Sequence, residues 1–140
     1  MKTYTSFATS LLTLLGEDQA VKLTSEGFMP LSIEDIGPTT DGHRQIALSH
    51  TAIQNGDLMR DPEMVFQIIS QEGITLAEPL SFRNDYMGVY QEVYRYNDHG
   101  QPSHVDNSLK AELKSFARMW FRNLKHQGFF SPTVTRERLS

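Results

Sequence analysis

The residues with the most chemistry in this 140-residue chain lie in two short segments. The first reads Gln54-Asn55-Gly56-Asp57-Leu58-Met59-Arg60-Asp61-Pro62-Glu63, and the second is Arg83-Asn84-Asp85. If the strands around them form a meander, both segments are loops at the same sheet end. Asp57, Arg60, Asp61 and Glu63 would then stand near Arg83 and Asp85. Converging carboxylates could hold a hard cation through oxygen ligands. A pair whose environments separate their pKa values could divide general acid and base work. On that reading Asp57, Asp61, Glu63 and Asp85 would serve a metal-dependent hydrolase. The simpler account is turn chemistry. Asn-Gly and Asp-Pro are turn dipeptides, Asx side chains bond their own backbone, and Arg60 and Arg83 are natural ion-pair partners. The spacing does not fit an EF-hand loop, which needs acids at alternate positions and glycine at the sixth. A third reading makes Asn55, Asp57, Arg60, Asp61, Glu63, Arg83 and Asp85 a partner-binding edge. No residue is assigned as catalytic, and neither a metal nor a cofactor is expected.

Other chemistries are excluded more firmly. The chain has no cysteine, so thiolate nucleophiles, disulfides and cysteine-based metal centres are absent. His43, His50, His99, His104 and His126 form no H-x-x-x-H or H-E-x-x-H pair. There is no P-loop, dinucleotide fingerprint or G-x-S-x-G elbow. His50 falls on the core-facing alternation of a strand, where a hydrogen-bonded structural histidine is expected. Tyr90, Tyr94 and Tyr96 share one strand face with Glu92, and this tyrosine-lined face could stack bases or dock a peptide. The same face could instead receive the N-terminal helix, giving a sheet covered on both sides, and that is the expectation preferred here.

Charge is distributed unevenly. The net −4 separates into −8 over residues 1–104 and +4 over residues 105–140. Lys110, Lys114, Arg118, Arg122 and Lys125 fall on one arc of a helix that also carries the apolar stripe Leu109, Leu113, Phe116, Ala117, Trp120 and Leu124. Such an arc can meet phosphates through charge, or can simply be a solvated helix face.

The elements that must position these groups follow from periodicity. Phe7, Leu11, Leu14 and Leu15 mark a first helix, with Gly16 at its C′ position. Strands are expected around Met29–Ile33, Ile46–His50, Met64–Ile69, Thr75–Phe82 and Met87–Tyr96, the first at a sheet edge or starting at Pro30 and the fourth with a break or bulge at Pro79. Residues 17–27 are ambiguous, and Asp18 to Leu23 could add a helical turn. Asn107 or Ser108 caps the long helix and Gly128 ends it. The expected architecture is an α+β domain over residues 1–130. It has an antiparallel sheet of about five strands in a meander, flanked by an N-terminal helix and a long C-terminal amphipathic helix, with a loose tail over 131–140. No apolar run is long enough to span a membrane, and Leu11–Leu15 reads as a helix of a cytoplasmic protein, not a signal peptide.

Several segments together resemble an uncharacterised domain-of-unknown-function family of bacteria and phages, met on plasmids and other mobile elements. They are Met29-Pro30-Leu31 with Ile33–Gly37, then Gln54-Asn55-Gly56-Asp57 with Met59–Met64. Arg83–Tyr86 with Gly88-Val89 and Gln91-Glu92 follows, and last Phe116–Trp120 with Asn123-Leu124 and Gln127–Phe129. The resemblance implies no reaction and no cofactor. It implies a small soluble accessory protein of a mobile element. The segregated charge without a recognisable nucleophile or phosphate loop adds the expectation of a protein or nucleic-acid partner, met through the basic helix face or the 55–63 edge.

Overall fold

A computed structural model describes residues 2–139. It is an α+β fold whose elements run α1 (Lys2–Leu15), β1 (Ala20–Thr24), β2 (Leu31–Pro38), β3 (Arg44–Gln54), β4 (Asp57–Gln71) and β5 (Ile74–Asn84). They continue with β6 (Val89–Glu92), β7 (Tyr94–Tyr96), β8 (Pro102–Val105), α2 (Asn107–His126) and β9 (Thr135–Arg138). Seven strands form one antiparallel sheet in the order β6-β5-β4-β3-β2-β1-β9, and β7 with β8 makes a separate ribbon. The meander is as expected from the sequence, with more strands than the five that alternation marks.

Alternation decides which sheet face is apolar. Leu31 and Ile33 of β2, Ile46 and Leu48 of β3, and Met64 and Phe66 of β4 are all fully buried on one face. Both helices cover that face. Phe7 of α1 meets Phe66 at 6.0 Å and Phe121 of α2 at 5.4 Å, so helix, helix and sheet share one aromatic centre. Because α1 buries its stripe against α2 and this same face, it does not cover the tyrosines. The expectation of a sheet covered on both sides is therefore corrected: the opposite face is open.

Four further corrections have local causes. Residues Ala20–Thr24, ambiguous by pattern, are strand β1, with Val21 and Leu23 buried opposite Ile33 and Leu31. The expected fifth strand breaks at Val93, which is buried and donates its N–H to Leu80, while its carbonyl accepts from Asp106. That anchoring sends β6 and β7 into different sheets. Where a loose tail is expected from residue 131, Thr135–Arg138 instead pairs with β1 as an outer strand. The N-cap of α2 is Asp106, one residue before the expected positions, and its carboxylate accepts from Leu109 N–H at 2.9 Å. Pro79 falls where a bulge between β4 and β5 shifts the register, as its missing N–H suggests. No described helix is long and apolar enough to cross a membrane.

Candidate functional site

The segment expected as a loop over residues 54–63 is mostly strand. Asn55 and Gly56, with φ of 52° and 84°, form the two-residue turn between β3 and β4. Both φ values are positive, as a type I′ hairpin turn requires, and Asn-Gly is its preferred sequence. Thr51–Gln54 and Asp57–Arg60 pair beyond the last register partners of β2 and β5, at His50 and Glu63. The hairpin is thus a two-stranded arm overhanging the sheet. Asn55 and Asp57 sit exposed at its tip, so the structure does not bring Asp57 to the other carboxylates.

The remaining members of the set do come together where the arm joins the sheet. Asp85 is held by three bonds: its carboxylate accepts from Arg60 N–H at 2.7 Å and from Arg83 Nε at 2.6 Å, and its own N–H donates to Arg60 carbonyl at 2.9 Å. These donors, the Arg60 amide first and Arg83 second, hold its pKa below the ordinary carboxylate value. The same bond to Asp85 raises Arg83. Asp61 accepts from Asn84 Nδ2 at 2.7 Å, and Glu63 pairs with Arg60 at 3.1 Å. Each of these carboxylates therefore has its own cap. Among the described residues no group of three or more histidines and acids is arranged to hold a metal ion. The converging geometry that a hydrolase based on Asp57, Asp61, Glu63 and Asp85 requires is not formed.

The network borders the open sheet face. Glu63, Arg83 and Tyr90 are successive register partners across β4, β5 and β6, so their side chains line one row on that face. Beside the row runs a groove of about 210 Å³ lined by Ile36, Val65, Ser81, Tyr90, Tyr94 and Tyr96, with Glu92 on its wall. It continues past Tyr90 into a wider depression of about 550 Å³ that reaches Glu63, Arg83 and Asp85. Tyr90 is 61% exposed and Tyr96 45%, far more than an aromatic ring held in a core. The Tyr90 hydroxyl donates to Glu92 at 2.8 Å, and the Tyr94 hydroxyl donates to Glu78 at 3.3 Å. Partial burial and the bond to Glu92 push Tyr90 up to about 12. Burial, then the Asp41 and Glu92 charges, raise Tyr96. All these hydroxyls are neutral donors at physiological pH, in a field of negative sign.

Sequence reasoning found the tyrosine stripe with Glu92 on its face but did not single out Ile36, Val65 and Ser81 as lining residues. Ile36 has the same alternation parity as Ser32 and Glu34, opposite to buried Leu31 and Ile33, and so belongs to the open face beside the bulge between Asp35 and Gly37.

The basic arc of α2 approaches the groove at Lys110, which reaches Tyr94, and much of it is engaged. Lys110 lies 3.9 Å from the Glu78 carboxylate and within hydrogen-bond reach of Tyr94 hydroxyl. Lys114 stands 5.0 Å from the Tyr4 ring, Arg118 donates to Thr3 Oγ1 at 2.9 Å, and Lys125 lies 5.7 Å from the Phe130 ring. Arg122 is exposed. The arc does double duty as the seam that fastens α1 and the segment after α2.

Comparison with known proteins gives one match. The model of a family described as Domain of unknown function (DUF6908) matches residues 3–130. No curated protein and no solved structure matches the chain.

Proposed function

From the premise that the chain belongs to the DUF6908 family, whose description carries no activity, we propose that it is a non-catalytic binding module that takes a protein partner on the open sheet face. The observation carrying this reading is the tyrosine-lined groove on a seven-stranded sheet whose other face alone is covered by helices. A sheet face with exposed rings offers large contact area at small conformational cost, which is what partner surfaces use. In this reading Glu63, Arg83 and Asp85 form the rim of the contact, held rigid by Arg60, Asp61 and Asn84. Asn55 and Asp57 extend it along the arm. The basic arc of α2 is secondary, since its charges are drawn into contacts with α1 and Glu78. An accessory role in the cytoplasm, for a plasmid, phage or other mobile element, belongs to the same proposal.

The test is affinity capture from nuclease-treated host lysate, quantified by mass spectrometry against two variants. Tyr90→Ala with Tyr96→Ala should lose a partner at least tenfold, while Lys114→Glu with Arg118→Glu should retain it. The reverse pattern, or capture indifferent to both, would refute the reading.

A further inference from the structure

The groove carries a more specific chemistry than apolar area alone. Three carboxylates, of Glu63, Asp85 and Glu92, and one guanidinium, of Arg83, line its two parts. Glu63 is neutralised by Arg60 and Asp85 by Arg83. Glu92 differs: it accepts only the Tyr90 hydroxyl, and no described lysine, arginine or histidine lies within ion-pair distance of it. An exposed carboxylate with a bound phenol and an unmatched charge sits beside two half-open aromatic rings. The negative faces of such rings attract cations, and a neighbouring carboxylate adds direct charge attraction. Phosphates meet the opposite field, so the same rings are poorly placed to stack nucleotides.

We infer that the groove binds the arginine or lysine side chains of an extended basic segment of the partner protein, set over Tyr90 and Tyr96 and against the Glu92 carboxylate. The inference rests on the partner-binding reading above and adds the charge and residue type of what is bound. Main-chain pairing is not required, because the contacts come from side chains standing up from β6 and β7.

The probe is a fluorescein-labelled nine-residue peptide alternating arginine and threonine, titrated with the full chain and read by anisotropy. Lysine and glutamate versions and a ten-nucleotide oligo(dT) serve as comparisons. The arginine peptide should bind best, with affinity falling as salt rises. Tyr90→Ala and Glu92→Gln should each weaken it about fivefold, and together about twentyfold, the usual size of cation–π and exposed ion-pair effects. Tyr90→Phe keeps the ring and should bind within about twofold of the parent. Both side chains are exposed, so unchanged melting curves will confirm that the variants fold. Preferred binding of the glutamate peptide or of oligo(dT) would overturn the inference, as would arginine-peptide binding indifferent to Tyr90→Ala and Glu92→Gln. If those results come with partner capture that still depends on Tyr90 and Tyr96, the charge assignment fails and the binding face stands. If capture is also indifferent, both fail.

Discussion

Arg136 joins the two ends of the described chain, and its removal has a calculable cost. The guanidinium donates to the Leu14 carbonyl at 2.8 Å and to the Leu15 carbonyl, and its ion pair with Asp18 measures 3.0 Å. Those carbonyls belong to the last turn of α1, where no further helical N–H is available to them. Gly16, at φ +63°, ends the helix there. Hydrogen bonds from a charged donor are worth roughly 1.5–3 kcal/mol when shielded from water. The Arg136 side chain is 37% exposed, so each is discounted to about 1 kcal/mol. A cation at a helix C-terminus adds about 0.5 kcal/mol, and the exposed pair with Asp18 about as much again. Arg136→Ala should therefore cost about 2–3 kcal/mol, lowering Tm by about 6–9 °C in a chain of this size. Urea unfolding followed by Trp120 emission, with thermal melts by circular dichroism, measures both quantities. Asp18→Asn should cost only about 0.5 kcal/mol, because it leaves the carbonyl caps in place. An Arg136→Ala variant within about 0.5 kcal/mol of the parent would refute the reasoning. Equal losses in the two variants would assign the stability to the ion pair and not to the caps.

Two other perturbations test the site and the core. Asp85→Asn removes the charge that Arg60 N–H and Arg83 share, and should cost about 1–2 kcal/mol in urea titrations. The folded Asp85 pKa is lowered from 3.8, so its contribution is present above that value and is lost as pH falls through the folded one. The variant should lack that part of the acid slope; an identical slope would show that Asp85 is not responsible. His50 packs beside Trp120 and Phe129, with Nδ1 at 3.1 Å from the Met29 carbonyl and 3.2 Å from that of Pro30. Burial lowers its pKa from 6.5, so the neutral ring is the stabilising form. Its contribution should be complete above pH 6.5 and decline as pH falls from 6.5 toward the folded value, where the unfolded chain binds the extra proton. Histidine ring shifts followed by NMR would show this, and titration at or above 6.5 in the folded protein would refute it.

Both helices are legible because burial on one side writes a stripe into the sequence. Phe7, Leu11, Leu14 and Leu15, and likewise Leu109, Leu113, Ala117, Trp120 and Leu124, are all buried at helical spacing. The central strands are legible for the corresponding reason, since Ile46, Leu48, Met64 and Phe66 alternate with less buried neighbours. Elements that lack a buried side do not announce themselves. β9, Thr-Arg-Glu-Arg, is exposed throughout and is placed by backbone pairing with β1 and by the reach of Arg136. The outer part of β4, from Asp57 to Arg60, has register partners only in β3 and carries no alternation, so turn residues dominate its reading. At the candidate site, the proximity of Arg60, Asp61, Glu63, Arg83 and Asp85 follows from the meander. The separation of Asp57 does not, because it depends on how far the hairpin continues before turning. The open face was missed because helix periodicity says which stripe is buried, but not which side of a sheet buries it.

The sheet's flanks have a consequence for how anything can add to the molecule. Its outermost strands, β6 and β9, are four residues long, and β9 presents Arg136, Glu137 and Arg138. Short, charged outer strands give an incoming chain too few main-chain partners to extend the sheet sideways. At these two outer strands, growth by strand addition, the route to fibrils and to edge-to-edge pairing, is disfavoured while the broad face stays accessible. Recognition there is a matter of side-chain fit and not of backbone register, so a bound segment could contain proline without loss.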